Sequence, residues 1–495
     1  MPRYSYDRLT ALDHSFLFLE RPNAPMHVGS IAIHEMGALR GREGGVDIDL
    51  LRRGIAGVLH RIPRYRQRLA WVPIEGTPVW VDDEGFNLDY HVRHTSLPRP
   101  GDANQLRQLA ARVMAQRLDR ARPLWEMWVV EGLEGDRFAL LSKVHHCMID
   151  GVSGVDLMNV LMSPSADAEI FEPSPFVPRP APTPFELLRH EILRRARLPF
   201  EAVRDVRLLL REAEDARREI QVRVRALRET LGGVLQRATP TPLNERVSPH
   251  RRFDWLVLAV DDFKAVRRAL GGSLNDVVLA TVAGAVRRFL EERRFPIEGL
   301  DFRVMAPVSV RAESERGRLG NRVSAWIVPL PLAEPDPAVR LRTIAARTEE
   351  LKQARQAVTA QVLTQAADWT PATLLALGAR NVTRQLPFQL VVTNVPGPQI
   401  PLYLFGSRML ESYPVVPLLD GLGLGIALFS YDGKLCWGIN ADWDLVPDLD
   451  RFVACVGESF DELRALARRA APGEKRAGPA RRSAPKSTPA EPAPH

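Results

Sequence analysis

The sequence predicts an α/β protein with mixed sheets, built as two domains that a proline-rich linker and a helical crossover separate. A chain of 495 residues is too long for one ordinary core. Strand-like and helix-like patterns alternate in both halves, and prolines crowd the stretch between them. The predicted boundaries are residues 1–162 and 246–470 for the domains, 163–245 for the linker and crossover, and 471–495 for a disordered tail.

In the N-terminal half, short apolar runs predict strands, and a three- to four-residue spacing predicts a helix. Val28 to His34 and Phe138 to Val144 are the predicted strands, and Leu106 to Leu118 is the predicted helix. Seven prolines between Ser163 and Pro184 prevent regular structure, so this stretch is the predicted linker.

A long amphipathic pattern follows the linker, from about Phe185 to Arg237. Its apolar residues recur at three- and four-residue steps, as on one face of a helix. Either this helix is solvated and packs along the body of the protein, or it faces lipid with its arginines against anionic head groups. Alternating arginines and acidic residues favour the first interpretation for most of its length. The arginines near its start fit the second: Arg189, Arg194, Arg195 and Arg197.

The C-terminal half shows a second mixed pattern between about Arg246 and Arg469. The apolar stretch from Leu274 to Leu290 predicts a buried helix. Strands are predicted at Trp255 to Val260, Phe302 to Met305, Val323 to Leu330, Gln389 to Thr393, Gly423 to Phe429 and Lys434 to Ala441.

Charge and cysteine content limit the class of protein. The 67 basic and 60 acidic residues leave a formal charge of +7, which fits a membrane surface, coenzyme A phosphates or nucleic acid without choosing among them. Three cysteines form neither a CxxC pattern nor a disulfide framework, which indicates a reducing compartment. The start lacks the apolar core of a signal peptide. Since no apolar run reaches the roughly 18 residues of a spanning helix, any membrane contact is expected to be peripheral.

The strongest chemical signal is the run from His145 to Gly151. An apolar strand delivers the adjacent His145 and His146 to its C-terminal end, and successive side chains of a strand point to opposite faces. One histidine can therefore face a cleft while the other faces inward. Asp150 and Gly151 follow, before a polar turn into an apolar helix. Because histidine takes and returns protons near neutral pH, the run predicts proton transfer.

Three other interpretations compete with proton transfer. Zinc binding by the two histidines lacks a third ligand at a supporting spacing, so no metal is expected. Cys147 could act as a nucleophile beside His146, but its neighbours Val144 and Met148 indicate a buried, inert thiol. Asp150 could serve a Ser-His-Asp relay, but no GxSxG nucleophile elbow accompanies it.

The HHxxxDG run from His145 to Gly151 resembles the signature of CoA-dependent acyltransferases of the chloramphenicol-acetyltransferase-like fold and of peptide-synthetase condensation domains. More specifically, the chain resembles the bacterial wax ester synthase/diacylglycerol acyltransferase family over nearly everything except the linker and tail. Each matching motif is weak alone, but their number and order make the resemblance specific. They are Leu12-Asp13 with Phe16, Pro25 to Gly29, Arg66 to Leu69, Tyr90 to His94, Pro123 to Glu126, Asn275-Asp276, Pro307 to Arg311, Gly320-Asn321 and Thr393 to Pro398.

This resemblance implies two chloramphenicol-acetyltransferase-like domains side by side, with the histidine motif near the middle of a tunnel at their interface. It implies that His146 is the general base, which takes the proton of an acceptor hydroxyl while the oxygen attacks the acyl-CoA thioester directly. His145 belongs to the same catalytic motif, and Gly151 is expected to be structural. No cofactor and no acyl-enzyme are expected, since acyl-CoA is a cosubstrate.

The resemblance also suggests roles outside the two histidines. Asp150 would pair with an arginine of the second domain, for which Arg311 is the best candidate; a catalytic acid is the alternative for Asp150. Asn275 and Asn394 could each donate to the oxyanion or the acyl carbonyl. The alternatives are that Asn275 caps or braces the helix that begins near it, and that plain turn chemistry explains the motif around Asn394. Trp125 could line an acyl channel, and core packing is an equal interpretation.

The implied function is transfer of a long-chain acyl group from acyl-CoA to diacylglycerol, which makes triacylglycerol. Fatty alcohols are an equally natural acceptor and would give wax esters. A condensation domain acting on carrier proteins and a non-catalytic lipid-binding relative are less favoured, since no carrier attachment motif follows and the histidine motif is intact. The expected location is cytoplasmic, peripherally at the inner membrane or lipid droplets, with no nucleic acid partner.

Overall fold

The computed structural model describes residues 5–74, 76–148, 157–167, 170–194, 238–309, 323–356 and 386–470. The strands in these ranges, in chain order, are β1 Asp7–Arg8, β2 His27–Glu35, β3 Gln67–Trp71, β4 Pro78–Asp82, β5 Val92–Ser96, β6 Trp125–Leu133, β7 Arg137–His145, β8 Met162–Ser163, β9 Arg251–Ala259, β10 Phe302–Ser309, β11 Val323–Leu330, β12 Leu390–Pro396, β13 Tyr403–Leu404, β14 Ser407–Val415, β15 Leu424–Tyr431 and β16 Lys434–Asp442. The helices are Ala11–Leu19, Ile48–Val58, Leu88–His91, Ala103–Ala115, Leu157–Leu161, 184–194, Val260–Leu270, Leu274–Glu292, Pro337–Gln356 and Leu449–Ala470.

The predicted strands are confirmed in both halves, with ends that differ by a few residues. The buried helix predicted from Leu274 is confirmed at Leu274–Glu292. The helix predicted at Leu106 to Leu118 instead spans Ala103–Ala115. Asp102 caps its first turn in a capping box with Gln105, so the helix begins before its first apolar residue.

The predicted linker contains no helix or strand over residues 170–183. Of the long helical pattern, the structure describes a helix over 184–194; residues 195–237 lie outside the described ranges, as does the predicted tail 471–495. Leu187 of this helix packs with Val72, Val79 and Val81 on a three-stranded sheet of order β1-β4-β3.

The first large sheet has seven strands in the order β5-β6-β7-β2-β14-β13-β8. β7 runs antiparallel between β6 and β2. All its residues from Phe138 to His145 are buried, which explains its nearly unbroken apolar sequence. β13 and β14 come from the C-terminal half of the chain. The sequence pattern did not predict this exchange, because pairing between distant segments leaves no local signal.

The second large sheet has six strands in the order β11-β10-β12-β15-β16-β9. β10, β12 and β15 are parallel neighbours, and the other pairs are antiparallel. The helices Val260–Leu270, Leu274–Glu292 and Leu449–Ala470 pack together and bury their apolar side chains in one core with this sheet. The C-terminal half therefore has a hydrophobic core of its own.

The two halves meet where β14 passes β16. A Cβ at Gly438 would lie 1.9 Å from the carbonyl oxygen of Pro414, so this close approach requires glycine. Beside it, Trp255 stacks on Tyr413 with ring centroids 4.7 Å apart. These aromatic residues share a buried cluster with residues of the helix Ala103–Ala115. The two halves are thus joined through a continuous apolar contact.

Among the described residues, no single helix is both long and apolar enough to cross a membrane. The helices Val260–Leu270 and Leu274–Glu292 meet that test only when taken together, and they are bent by 96° where they join.

Candidate active site

β7 ends at His145, and the chain then turns sharply through a 3₁₀ turn, His146–Met148. The backbone amides of His145 and His146 donate to segments on opposite sides of β7. The His145 amide donates to the Leu124 carbonyl oxygen at 2.9 Å, and the His146 amide donates to the Met26 carbonyl oxygen at 2.8 Å. The segments on both sides of β7 therefore hold the start of the turn.

His145 faces inward and is fully buried. Its Nδ1 accepts a hydrogen bond from the Cys147 amide at 3.2 Å. Its Nε2 lies 3.6 Å from Oε1 of Glu20, slightly beyond ordinary hydrogen-bond length, so this contact is chiefly electrostatic. A neutral imidazole has one donor and one acceptor nitrogen, and here the acceptor is Nδ1.

Glu20 is a buried carboxylate at the end of the first helix, with its side chain 1% exposed. Arg117 and Arg120 approach its Oε2 at 3.1 and 2.7 Å, and Nε2 of His27 lies 3.4 Å from its Oε1. Burial alone would raise the pKa of the Glu20 carboxyl, but its interactions with the nearby imidazoles of His145 and His27 outweigh burial and hold the pKa well below the ordinary range. Glu20 is therefore ionised at neutral pH.

His146 is partly buried, so the two histidines differ in exposure as alternation along the strand predicts. The ring of Phe16 stacks on the His146 ring with centroids 3.8 Å apart. Burial is the largest cause that lowers the pKa of His146, to about 4. The imidazole is consequently neutral at pH 7 and can accept a proton.

Cys147, next to His146, is buried. Burial first, and then the nearby carboxylates Asp13 and Glu20, raise the pKa of its thiol well above the usual range. The thiolate, which is the nucleophilic form, is therefore scarce, and this supports the interpretation of Cys147 as an inert core residue.

The loop between Glu20 and Met26 also touches the C-terminal half. Arg21 Nη1 lies 2.9 Å from Asp420 Oδ2, and the side-chain amide of Asn23 donates to Asp420 Oδ1 at 3.0 Å. The Arg251 guanidinium donates to the Asn23 carbonyl oxygen at 2.5 Å. The same loop thus contacts the histidine motif at its ends and the second domain in its middle.

Trp125, which the sequence predicted either to line an acyl channel or to pack in the core, lies in the core. It is 1% exposed, its indole nitrogen donates to the Tyr65 carbonyl oxygen at 2.8 Å, and its ring stacks on His91 with centroids 4.6 Å apart. A buried Trp with a satisfied N–H is a core residue. The structure therefore supports core packing at Trp125.

Asn275 is partly buried in the first turn of the helix Leu274–Glu292, but it is not the helix cap. Ser273 caps this helix, in a capping box with Asp276. Asp276 also accepts a hydrogen bond from Thr348 at 2.7 Å. Asn275 is therefore not the helix cap, because Ser273 and Asp276 form the capping box; a role in bracing the helix stays a prediction.

Asn394 lies on β12, partly buried, near the point where the strand enters a turn. The turn itself is held by packing: a Cβ at Gly397 would lie 2.4 Å from both the Phe429 ring and the Ser430 carbonyl oxygen. The Gly397 amide donates to the Ser430 hydroxyl at 3.2 Å. Turn chemistry thus accounts for Gly397 and leaves the role of the Asn394 side chain unassigned.

Asp150, Gly151 and Arg311 lie outside the described residues, so their roles rest on the resemblance alone. Within the described ranges, no group of three or more His, Cys, Asp or Glu side chains is arranged to hold a metal ion. Two residues that contact the motif, Glu20 and Phe16, were not predicted as site residues, although Phe16 belongs to one of the matching family motifs. A glutamate at a helix end normally indicates a solvated surface, and only the fold brings it to the histidines.

Two models of one protein family together match most of the chain. The sequence model of the wax ester synthase/diacylglycerol acyltransferase catalytic domain matches residues 9–278, and that of the C-terminal domain of the same family matches residues 319–464. A probable diacylglycerol O-acyltransferase of Mycobacterium tuberculosis is 34% identical over 475 residues, which cover 94% of this chain and 97% of the relative. A putative diacylglycerol O-acyltransferase of the same species is 33% identical over 468 residues, covering 92% and 90%.

Two solved structures extend the comparison to the fold. A wax ester synthase/diacylglycerol acyltransferase from Marinobacter aquaeolei is similar with a TM-score of 0.66 and 26% identity, covering 93% of this chain and 99% of that one. The first condensation domain of the calcium-dependent antibiotic synthetase is similar with a TM-score of 0.55 and 16% identity, covering 94% and 96%. The second likeness indicates a common fold.

Proposed function

Because this chain belongs to the wax ester synthase/diacylglycerol acyltransferase family and is an acyl-CoA-dependent acyltransferase, we propose that it transfers a long-chain acyl group to the free hydroxyl of diacylglycerol. The observation that carries the proposal is the state of His146. It is a neutral, partly open imidazole on a turn whose backbone is fixed from both sides. The relatives named as diacylglycerol O-acyltransferases support this acceptor.

In the proposed reaction His146 acts as general base. Its free ring nitrogen takes the proton of the acceptor hydroxyl as the oxygen attacks the thioester carbonyl. The tetrahedral intermediate then collapses, the C–S bond breaks, and the imidazolium returns the proton to the CoA thiolate. A pKa of about 4 makes His146 a weak base toward the resting hydroxyl. Negative charge that develops on the substrate raises its proton affinity during the reaction.

No step requires a metal, a cofactor or an acyl-enzyme, since the thioester is already activated. The buried Cys147 supports direct transfer, because its thiol is held protonated. Asn275 and Asn394, both in the second domain, remain our candidates for the oxyanion donor.

A fatty alcohol is the second candidate acceptor, and it would give a wax ester. The Marinobacter relative, whose name includes both activities, is the observation that favours retaining it. Both acceptors present one hydroxyl on an apolar chain, so the chemistry at His146 would be the same.

The test is to incubate purified protein with labelled palmitoyl-CoA and to offer diolein and hexadecanol separately and then together. Predominant triacylglycerol supports the proposal, whereas predominant wax ester assigns the alternative acceptor. His146→Ala is expected to lower the rate by on the order of 10² to 10⁴. Cys147→Ala, the matched control at the next position, should keep it. A His146→Ala protein as active as the parent would overturn the base assignment.

We also propose that the protein docks peripherally on a lipid surface, at the cytoplasmic face of the inner membrane or on lipid droplets. The helix 184–194 supports this. Leu187 and Glu191 face the body of the protein, while Phe185, Ile192 and Leu193 on the other side are 73%, 60% and 47% exposed. An outward apolar face is the part of such a helix that enters the acyl boundary of a bilayer.

This face differs from the arginine cluster that the sequence suggested. Arg194 turns to Glu191, with Nη2 and Oε1 2.5 Å apart, and Arg8 contacts the same carboxylate. Arg195 and Arg197 lie outside the described residues. The apolar side chains are therefore the better candidates for the lipid contact.

Vesicle sedimentation distinguishes the apolar face of the helix from the arginine cluster as the lipid contact. Replacing Phe185, Ile192 and Leu193 with serine should weaken binding to phosphatidylglycerol-containing vesicles, whereas Val177→Ser, an exposed apolar residue outside the helix, should not. If neutralising Arg194, Arg195 and Arg197 weakens binding and the serine variant binds normally, the arginines are the anchor. Unchanged binding in both variants would remove this segment from the proposal.

A further inference from the structure

Glu20 is a buried charge that the proposed reaction does not use. Its side chain is 1% exposed, and it takes no part in the proposed proton transfer between the substrate and His146. An isolated buried carboxylate is costly, so its retention requires partners. The partners divide between its two oxygens: Arg117 and Arg120 bind Oε2, while Oε1 faces His27, His145 and the Met26 amide.

The oxygen that faces His145 favours, by its negative charge, a proton on the ring nitrogen nearest to it. A carboxylate only accepts hydrogen, so the nearby Nε2 favours the protonated form. The other nitrogen, Nδ1, then keeps its lone pair for the Cys147 amide, which donates to it at 3.2 Å. The two contacts therefore favour the same tautomer.

The two arginines place positive charge beside the other oxygen of the carboxylate. Their side chains are 39% and 29% exposed, so they bring positive charge to Glu20 without being fully desolvated themselves. Both bind Oε2, which leaves Oε1 free for the histidine side. The arginines therefore do not compete with His145 for Oε1.

Glu20 also reaches the turn by a second route. The Met26 amide points at Glu20 Oε1 at 3.4 Å, and the Met26 carbonyl oxygen accepts the His146 amide at 2.8 Å. Two consecutive amides of the turn, those of His146 and Cys147, are therefore held by groups that Glu20 orients.

From these contacts we infer that Glu20 is a positioning residue, which fixes the Nε2–H tautomer of His145 and so holds the turn that carries His146. The inference deepens the proposed function and rests on it. Glu20 touches neither substrate nor the reacting atoms, and it acts through His145 and the backbone.

A double-mutant cycle tests the inference. Glu20→Gln keeps the shape and removes the charge that selects the tautomer. His145→Asn places a fixed amide oxygen near the position of Nδ1, so the Cys147 amide keeps an acceptor whatever the residue at position 20. Glu20→Gln alone should lower kcat by about 10- to 100-fold through displacement of the base, with the KM for palmitoyl-CoA within about 3-fold of the parent. Added to His145→Asn, the same change should lower kcat by less than about 3-fold.

Equal losses of kcat in both backgrounds would overturn the inference, since Glu20 would then act independently of His145. The matched control is Asp82→Asn, which removes another buried carboxylate paired with an arginine, Arg179, away from the motif. It should lose stability and keep kcat. If Glu20→Gln does not fold, Glu20→Asp keeps the charge for the arginines but withdraws it from His145, and the same coupling is expected. A parent protein without acyl transfer would refute the proposed function itself, whereas an active parent matched by Glu20→Gln refutes this inference alone.

Discussion

The ring of Phe16 stacks on the imidazole of His146, with centroids 3.8 Å apart and the planes inclined by 24°. One face of the proposed base is therefore covered by an apolar ring from the first helix. This contact excludes water from that face, and exclusion of water is the largest cause of the low pKa of His146. The stack thus links the position of the base to its protonation.

Phe16→Ala should raise the pKa of His146 from about 4 toward the ordinary value of 6.5, because water would reach the exposed ring face. We also expect kcat to fall by on the order of 10-fold, since the ring loses its lateral support. The measurement is the pH dependence of kcat/KM for the variant and the parent. Phe18→Ala, on the same helix but packed edge-on against His14, is the control and should leave the profile unchanged.

The parent enzyme should show an unusual acid limb. A general base works only when it is deprotonated, so the rate falls as the pH drops through the pKa of the base. With the pKa of His146 at about 4, kcat/KM should stay level from about pH 7 down to about pH 5 and fall below that. Initial rates after a rapid pH jump from pH 7.5 would exclude acid unfolding. A midpoint near 6.5 would show that His146 is solvated or is not the base.

The position of the two histidines was predictable, because it depends on local pattern. An apolar strand followed by His145 and His146 predicts a strand end, and alternation predicts their opposite faces. The helix predicted from Leu106 was placed about one turn too late, because the apolar spacing did not include the capping box at Asp102. Local chemistry of this kind is contained in neighbouring residues.

What depends on distant contacts was not predictable. β14 joins β2 in the first sheet, and nothing near Ser407 or Val415 in the chain indicates this partner. Glu20 resembles an ordinary surface glutamate until the fold buries it beside His145. The role of Trp125 also depends on distant contacts, since an aromatic residue in a motif fits a channel and a core equally well until its contacts are known.

Acid should destabilise the fold through histidines that are buried in the neutral form. His34 is fully buried on β2 and stacks on Phe138, and burial lowers its pKa to about 4. The unfolded chain, with an ordinary pKa near 6.5, binds more protons in this window. Stability from His34 is therefore complete above about pH 6.5 and decreases as the pH falls to about 4, by up to roughly 2 to 3 kcal/mol.

Urea unfolding at several pH values measures this effect. His34→Leu should flatten the decrease in the free energy of unfolding between pH 6.5 and 4.5 relative to the parent. His250→Leu, at a surface position, is the control and should leave the slope unchanged. An identical slope in the His34 variant would show that this ring does not gain protons on unfolding.

Asp420 should affect turnover although it lies in the C-terminal half. It binds Arg21 and Asn23, in the loop whose Met26 carbonyl oxygen accepts the His146 amide. Asp420→Ala should lower kcat by about 3- to 10-fold because the loop is less restrained. It should lower stability by less than about 1 kcal/mol, since its arginine is exposed. Asp432→Ala, which breaks the surface pair with Arg408, should change neither kcat nor KM. Equal kinetics in the two variants would show that the loop needs no support from this side.

At the start of the helix Leu274–Glu292, substitutions at two nearby residues should have different effects. Ser273 should affect stability, and Asn275 should affect catalysis. Ser273 accepts the Asp276 amide at 3.2 Å and caps the helix, so Ser273→Ala should lower the free energy of unfolding by about 1 kcal/mol. Asn275 has no part in the cap, and Asn275→Ala should change stability by less than about 0.5 kcal/mol. If Asn275 donates to the oxyanion, kcat should fall by on the order of 10² in that variant while Ser273→Ala keeps the activity of the parent. Thermal unfolding and steady-state rates on both proteins provide the comparison. Parent-like kcat in Asn275→Ala removes it as the donor and directs the same substitution to Asn394.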